Sequence, residues 1–552
     1  MKSLTPIKYQ NALLLLLAFI SGILLSPKWT ITLAAWIHFT VLLRFYRDSH
    51  WKGYLVSIPL LALSAYFAQT GVLPFDTVTM LTFIIVATTI GLAPYLIDRL
   101  TYRLVPGWIG TLIFPTIFTL FNYFIEQGPQ GTWGNMAYTQ YSFLSLMQIS
   151  SITGIYGINF LIYWFASTTN YLYERRTEGQ KVPPAIWIMP AVLILSIGYG
   201  MVKLNETPLN QESVTVSTIT MDNLEVGKSM YQAEFGKDID IPKNVSQSDP
   251  ILQEVYKGLI AFMKDPENPK YAQAYTAMDK LLDRYMKATR EAAAEGARII
   301  TWSEGAVINI KTREEEYETQ IAALADELDI YLFFATAVFH PEKVGVEDRF
   351  IENKVLTFDP EGQLLNSYFK NIPVFGVEPS FPGDGTIPVI ETPYGNLSPI
   401  ICYDADHPQL IQQVSDQATD MLVVPTGDWK AISPYHTYMA AVRCIENGVS
   451  MLKSTSNGLS AVIDHKGRIL ARHEYFDDAE VKKIVYDFRI SSSDTMYASS
   501  YPMFLTLLKL MAVLLLVYIP VKFLFQKYLK RRESVDKGPV IQEVDKGIKV
   551  EA

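Results

Sequence analysis

Eight apolar stretches decide what this chain can become. They fall at residues 9–26, 29–46, 54–73, 77–97, 107–125, 154–173, 184–204 and 501–526. Each is near the ~20 residues that a helix needs to cross the ~30 Å hydrocarbon core of a bilayer. Lipid offers the backbone no hydrogen-bonding partner, so such runs must be helical. The second stretch is the weakest, because His38 and Arg44 interrupt it. The first has the length of a signal-peptide core, but the spans after it favour an uncleaved helix. Seven helices before residue 211 and one after residue 492 are expected.

Charge separates the chain into two parts. Its 552 residues carry 47 Lys+Arg and 56 Asp+Glu, a net −9. Residues 211–490 hold 26 and 43 of these, a net −17, and the remainder is basic at +8. A water-soluble acidic segment is thus set into an apolar chain. The division expected is a membrane bundle at 1–210, a soluble domain at 211–492, and a last span with a basic tail at 493–552. The tail after 533 has mixed charge and reads as disordered. The acidic balance makes nucleic acid a poor partner. Two cysteines, Cys402 and Cys444, exclude a disulfide scaffold and an all-cysteine metal site; both thiols are expected to be free. Seven scattered histidines suggest no metal cluster. No metal and no cofactor are expected.

Lysine and arginine also set the orientation. Lys2 and Lys8 precede the first span; Arg44, Arg47 and Lys52 lie between spans two and three. Arg99 and Arg103 lie between four and five, Arg175, Arg176 and Lys181 between six and seven, and Lys527, Lys530, Arg531 and Arg532 in the tail. Loops 74–76 and 126–153 contain neither residue type, and the remaining loop has only Lys28. Positive charge collects on the cytoplasmic side. Both termini are therefore placed in the cytoplasm and 211–490 outside. Loop 126–153 carries Trp133, Tyr138, Tyr141 and Phe143. These read either as headgroup-level aromatics or as a lipid-entry or substrate-docking loop.

Strands are expected in the acidic segment at 214–219, 298–302, 330–335, 397–402, 421–424, 449–454 and 459–464, with a hairpin at 355–365 turning on Asp359-Pro360-Glu361-Gly362. Helices are expected at 272–296, 313–328, 408–416 and 434–447, and 222–270 reads as loop-rich. Alternating strands and helices indicate a layered α/β or α+β domain.

Three reactive or polar residues follow strand-like runs: Glu304, Lys370 and Cys402. Strand ends are where α/β proteins place ligands. Cys402 is either an inert buried thiol or a thiol exposed on a sharp turn whose pKa nearby N–H groups lower. Glu304 either pairs on the surface or takes the thiol proton. Lys370 is either a solvated lysine or an oxyanion stabiliser, with the Tyr403 N–H as a second donor. Cys444, mid-helix, reads as inert.

Glu304, Lys370 and Cys402, with the runs Arg443-Cys444-Ile445-Glu446-Asn447-Gly448 and Ser456-Asn457-Gly458-Leu459-Ser460-Ala461-Val462-Ile463-Asp464, resemble the Glu–Lys–Cys pattern of the carbon–nitrogen hydrolase (nitrilase) superfamily. That resemblance covers about half the chain and implies an α-β-β-α sandwich. Set outside the membrane between a bundle and a final helix, the pattern is similar to the apolipoprotein N-acyltransferase family. The resemblance implies that Cys402 accepts an acyl chain from a phospholipid as a thioester, and that the α-amine of a diacylglyceryl-modified cysteine of an apolipoprotein discharges it. It further implies a supporting Glu378, spaced as a second essential acid, and supporting Tyr403 and Asp404, the latter where Glu is usual. A bacterial cell-membrane location and a monomer go with it. Ser303 stands where proline is usual, Pro373 and Phe375-Gly376 are displaced, 223–240 has no Trp, and Gly427-Asp428-Trp429 is a reduced run. Donor or acceptor choice is where these departures point. Two alternatives stand beside this expectation: a membrane-tethered amidase acting on a small soluble amide, and a non-catalytic scaffold or transporter. The intact Glu304, Lys370 and Cys402 argue against the last.

Overall fold

The computed structural model describes residues 5–105, 107–206, 213–242 and 249–536. Lys2 and residues 537–552 of the expected disordered tail lie outside them. The start of that tail, up to Asp536, instead continues the last helix.

Helices occupy all eight apolar stretches: Thr5–Leu24, Thr32–Asp48, Trp51–Gln69, Thr77–Gly91 continued by Ala93–Thr101, Ile113–Ile125, Ile155–Thr177, Ile188–Asn205 and Tyr497–Asp536. By length and composition, four of the described helices can cross a membrane: Thr77–Thr101, Gly107–Ile125, Pro184–Asn205 and Tyr497–Leu529. A fifth arises if Leu144–Thr153 and Ile155–Thr177, bent by 117°, form one broken span. Gly154 makes that corner at φ 61°. A Cβ there would press on the Tyr497 ring at 2.9 Å, so only glycine fits. Thr32–Asp48 falls short because it has 17 residues and ends in Arg44, Arg47 and Asp48. Large apolar side chains such as Ile194, Leu195, Val202, Leu514 and Leu516 stand exposed along the spans.

Polar contacts gather the basic connections at one end of the bundle. Arg47 pairs with Asp98 at 2.8 Å, and Arg44 with Glu174 at 2.9 Å and with Asp48. Gln10 donates to the Tyr173 hydroxyl at 3.0 Å, and the Lys522 ammonium donates to the Leu104 carbonyl.

The acidic segment forms two sheets. One has seven strands, in the order Val481–Phe488, Val214–Met221, Ile299–Trp302, Tyr331–Phe339, Ile351–Phe358 and Leu364–Phe369, with Val307–Ile310 also paired to Tyr331–Phe339. The other runs Ile469–Glu474, Leu459–Ile463, Ser450–Ser456, Met421–Gly427, Gly395–Pro399 and Ile390–Thr392. Side chains of a strand alternate between faces, and both faces of the first sheet are apolar. Val216, Ile299, Phe333, Ala335 and Val355 share a core with Leu397 and Val423 of the second sheet. Their neighbours Ile300, Leu332, Phe334 and Leu356 pack on Met278, Leu282, Ile321 and Leu324 of helices Ala272–Ala294 and Glu314–Leu328. Helix Tyr435–Asn447 covers the second sheet, its Met439, Val442 and Ile445 in the same core as Leu452 and Val462. The result is the layered α-β-β-α order that the resemblance implies.

Among its described residues, segment 222–270 is not loop-rich. It holds helices Leu224–Phe235 and Pro250–Lys264. Val226 and Met230, four residues apart, bury one face of the first, and Gly236 ends it in the left-handed region. Asp249 caps the second ahead of Pro250. The expected strand at 397–402 ends at Pro399, and 408–416 is two short helices, Pro408–Ile411 and Gln413–Asp416.

Candidate active site

Four strand ends and the turns after them converge on a buried ammonium. Lys370 follows strand Leu364–Phe369 and is 1% exposed. Its Nζ donates to Glu304 Oε1 at 2.8 Å and to Glu378 Oε2 at 2.7 Å. Asn353, on strand Ile351–Phe358, donates from one amide nitrogen to both carboxylates, at 2.7 Å to Glu304 and 2.7 Å to Glu378. The Gly427 N–H donates to the other Glu304 oxygen at 2.7 Å. Val374 N–H and the Ser380 hydroxyl complete the shell around Glu378 at 3.1 and 2.8 Å. Burial disfavours charge on Lys370, but the two carboxylates hold its pKa well above the usual lysine value. Burial likewise opposes ionisation of Glu378, yet Lys370 keeps it below the usual carboxylate range. Each charge is buried only because an opposite one is hydrogen-bonded to it.

Cys402 opens the short 3₁₀ turn Cys402–Asp406 at φ +46°. A side chain in this left-handed region costs about 1–2 kcal/mol; such strain is held where surrounding contacts over-determine it. Asp404 supplies them. Its Oδ2 accepts from Ile401 N–H at 3.0 Å and from the Tyr368 hydroxyl at 2.7 Å, and Oδ1 accepts from Ile372 N–H at 2.8 Å. Burial raises Asp404 to about 6, against these donors. Of the two readings of Cys402, the structure shows the buried thiol and not the exposed, acidified one. Cys402 is 6% exposed, and burial, then Glu304, push the thiol well above its usual value, with Lys370 opposing. Its Sγ lies 3.7 Å from the Gly427 carbonyl. Two carboxylates, Glu304 first and then Asp428, act on the sulfur electrostatically.

The site abuts the apolar helices through two loops. Thr132 donates to the Asp406 carbonyl, and the Tyr403 hydroxyl donates to the Pro129 carbonyl at 3.0 Å. Trp429 Nε1 donates to the Gly71 and Val72 carbonyls at 3.0 and 3.1 Å. In loop 126–153, Tyr138 and Tyr141 are buried and Trp133 packs against Tyr435. Three of its four aromatics therefore sit on the soluble domain, and Phe143 is the exposed one.

Sequence reasoning missed Asn353 and His436, and it read Asp428 only within the reduced Gly427-Asp428-Trp429 run. Asn353 gave no signal of its own, because it stands between Glu352 and Lys354 in strand Ile351–Phe358. A Cys402, Asp428 and His436 group lies with donor atoms within 4.8 Å of one another, although the histidines are scattered in sequence. Both cysteines are free and buried; Cys444 lies in helix Tyr435–Asn447, its thiol raised by burial and by Asp464.

Residues 270–480 match the carbon-nitrogen hydrolase family model, and residues 11–168 match the apolipoprotein N-acyltransferase N-terminal domain. Among curated proteins, an apolipoprotein N-acyltransferase of Rhizobium rhizogenes is 26% identical over 43% of this chain and 49% of its own length. Those of Rickettsia bellii and Brucella melitensis are 22% and 27% identical, over 59% and 41% of this chain and 61% and 46% of theirs. The chain thus spans about half the length of the curated relatives it matches.

Proposed function

We propose that this chain, in which a carbon–nitrogen hydrolase domain follows an apolipoprotein N-acyltransferase N-terminal domain, transfers a fatty acyl chain from a membrane phospholipid to the α-amine of the diacylglyceryl-cysteine of an apolipoprotein. The observation that carries it is the meeting of Cys402, Glu304 and Lys370 beside loops 70–76 and 126–153 of the apolar helices. A site for a small soluble amide has no need of that neighbourhood.

In the first half-reaction Glu304 takes the thiol proton as sulfur attacks the ester carbonyl. The oxyanion draws on the Lys370 ammonium. The C–O bond breaks, Glu304 returns the proton to the leaving lysophospholipid, and Cys402 holds the acyl group as a thioester. In the second, the neutral α-amine attacks the thioester, the C–S bond breaks, and the amine's proton passes through Glu304 to sulfur. Glu378 and Asn353 fix the Lys370 ammonium, and Asp404 fixes the turn. Holding donor and thiol in one site replaces a solution encounter by proximity.

The orientation follows the charge pattern. The lysine-poor loops 70–76 and 126–153 touch the soluble domain, and the basic connections meet at the other end of the bundle through Arg44, Arg47 and Lys522. Eight crossings, cytoplasmic termini and an extracytoplasmic site in a bacterial cell membrane fit this arrangement, as does a monomer. The test is mass spectrometry of the purified chain after incubation with phospholipid. A long-chain acyl adduct on Cys402, discharged by a diacylglyceryl-cysteine peptide, is the expected result. An adduct that only water discharges would point to a hydrolase, and no adduct would reject both.

A further inference from the structure

The two-step reaction leaves His436 without a role, yet the fold commits much to it. It lies in the first turn of helix Tyr435–Asn447 and is buried. Nδ1 faces Asp428 Oδ1 at 2.6 Å, and Nε2 faces Asp406 Oδ1 at 3.2 Å. Ionised carboxylates only accept, so a ring with a carboxylate at each nitrogen is doubly protonated. The helix N-terminus opposes that charge; the two carboxylates hold it. Lys453 Nζ stands 3.8 Å from the other Asp428 oxygen, and the Trp133 ring, 6.2 Å away, packs on the imidazole from loop 126–153.

Both carboxylates belong to the site. Asp406 closes the Cys402–Asp406 turn. Asp428 follows Gly427, whose N–H holds Glu304 and whose carbonyl faces the sulfur. Because Cys402, Asp428 and His436 lie within 4.8 Å of one another, an Asp428 left to Lys453 alone, 3.8 Å from its other oxygen, would be less fully balanced and would oppose every step in which sulfur gains charge. We infer that His436 is a positioning residue for Cys402, an imidazolium clamped between Asp428 and Asp406 that cancels the anion beside the sulfur and ties the nucleophile turn to the loop seating Glu304. The inference rests on Cys402 being the nucleophile. Burial alone would strip the ring of its proton, but Asp428 and Asp406 raise it to about 9. The clamp is therefore charged at neutral pH and opens as pH rises through that value.

The experiment uses the full chain with Cys444→Ser, so that Cys402 is its one thiol, and measures the rate of alkylation by iodoacetamide from pH 6 to 10. His436→Gln should slow alkylation at pH 7.5 by about tenfold, the equivalent of one pKa unit, and move the alkaline rise upward. Asp428→Asn should speed it several-fold and move the rise downward. The double variant should return close to the parent. A purely structural strut predicts slowing by either substitution and no recovery in the double, and that result overturns the inference. Should His436→Gln fail to fold, Asp428→Asn decides alone: faster alkylation upholds the inference, and unchanged or slower alkylation rejects it. Iodoacetamide needs only the sulfur, so opposite shifts in a chain that transfers no acyl group would reject the acyl-transfer reading and leave the clamp standing.

Discussion

Thr132 holds the Asp406 carbonyl twice, through its N–H at 2.9 Å and its hydroxyl at 2.8 Å, across 274 residues of chain. A loop among the apolar helices thereby braces the end of the turn that carries Cys402. Thr132→Val keeps the shape and the N–H but loses the hydroxyl's contacts with the Asp406 carbonyl and the Tyr138 hydroxyl. Each loss costs about 1 kcal/mol. Acyl transfer should fall several-fold, with a melting-temperature drop of no more than a few degrees. Transfer equal to the parent would show that the brace does not matter to the turn.

Lys370, itself buried, is the keystone of a charge group whose two carboxylates are partly buried, and Lys370→Met should do more than remove activity. Two carboxylates, Glu304 and Glu378, would lose their shared counter-ion, a change worth about 3–5 kcal/mol. A melting-temperature drop of several degrees, with acyl transfer lost, is the expected outcome. The pH dependence follows with sign. Glu378 is depressed when folded, so its contribution is present above the unfolded value of about 4.3 and lost as pH falls through the folded one. Lys370 is raised, so its contribution is present below about 10.4 and lost as pH rises through its folded value. Wild-type stability from this group should be flat between those limits, and Lys370→Met should flatten the acid limb.

Much of this was legible in the sequence where one local rule decides. The apolar runs had helical length, the apolar and β-branched runs of the acidic segment form strands, and Gly362 stands at positive φ in the turn expected at 359–362. Glu304, Lys370 and Glu378 were placed together by the family resemblance, and they share hydrogen bonds. Two kinds of feature escaped. Helix Leu224–Phe235 was hidden by its polar composition, because two buried residues, Val226 and Met230, suffice to dock it. His436 and Thr132 escaped because their partners lie far along the chain or on another element, and no spacing rule encodes such contacts.

Cys402 and Cys444 differ in what surrounds them, and the difference is testable. Cys402→Ala should abolish transfer. Cys444→Ser should retain most of it, because Cys444 has only packing and a backbone contact to lose. Denaturing alkylation without reductant should modify both thiols, in keeping with two free cysteines. One modified thiol or none would mean that oxidation had joined or blocked them.

The lip of the site is the last place where sequence, structure and lipid chemistry meet. Between Lys370 and Glu378 the chain presents Phe375, 69% exposed, and Val377, 45% exposed. Glu378 anchors this loop from below by accepting from Val374 N–H at 3.1 Å. Apolar side chains held open to water beside a reactive centre have a use when the substrate is itself apolar. Each is able to bury about 1.5–3 kcal/mol of contact with a chain that covers it. Phe375→Ser removes that contact and leaves Glu378 and its loop bonds in place. Transfer from a long-chain phospholipid in vesicles should fall about tenfold or more. Acylation by a short, water-soluble thioester should stay within about twofold, because the loss lies in donor capture and not in the chemistry at sulfur. An equal fall with both donors would place Phe375 in the catalytic geometry instead of at the point of lipid entry.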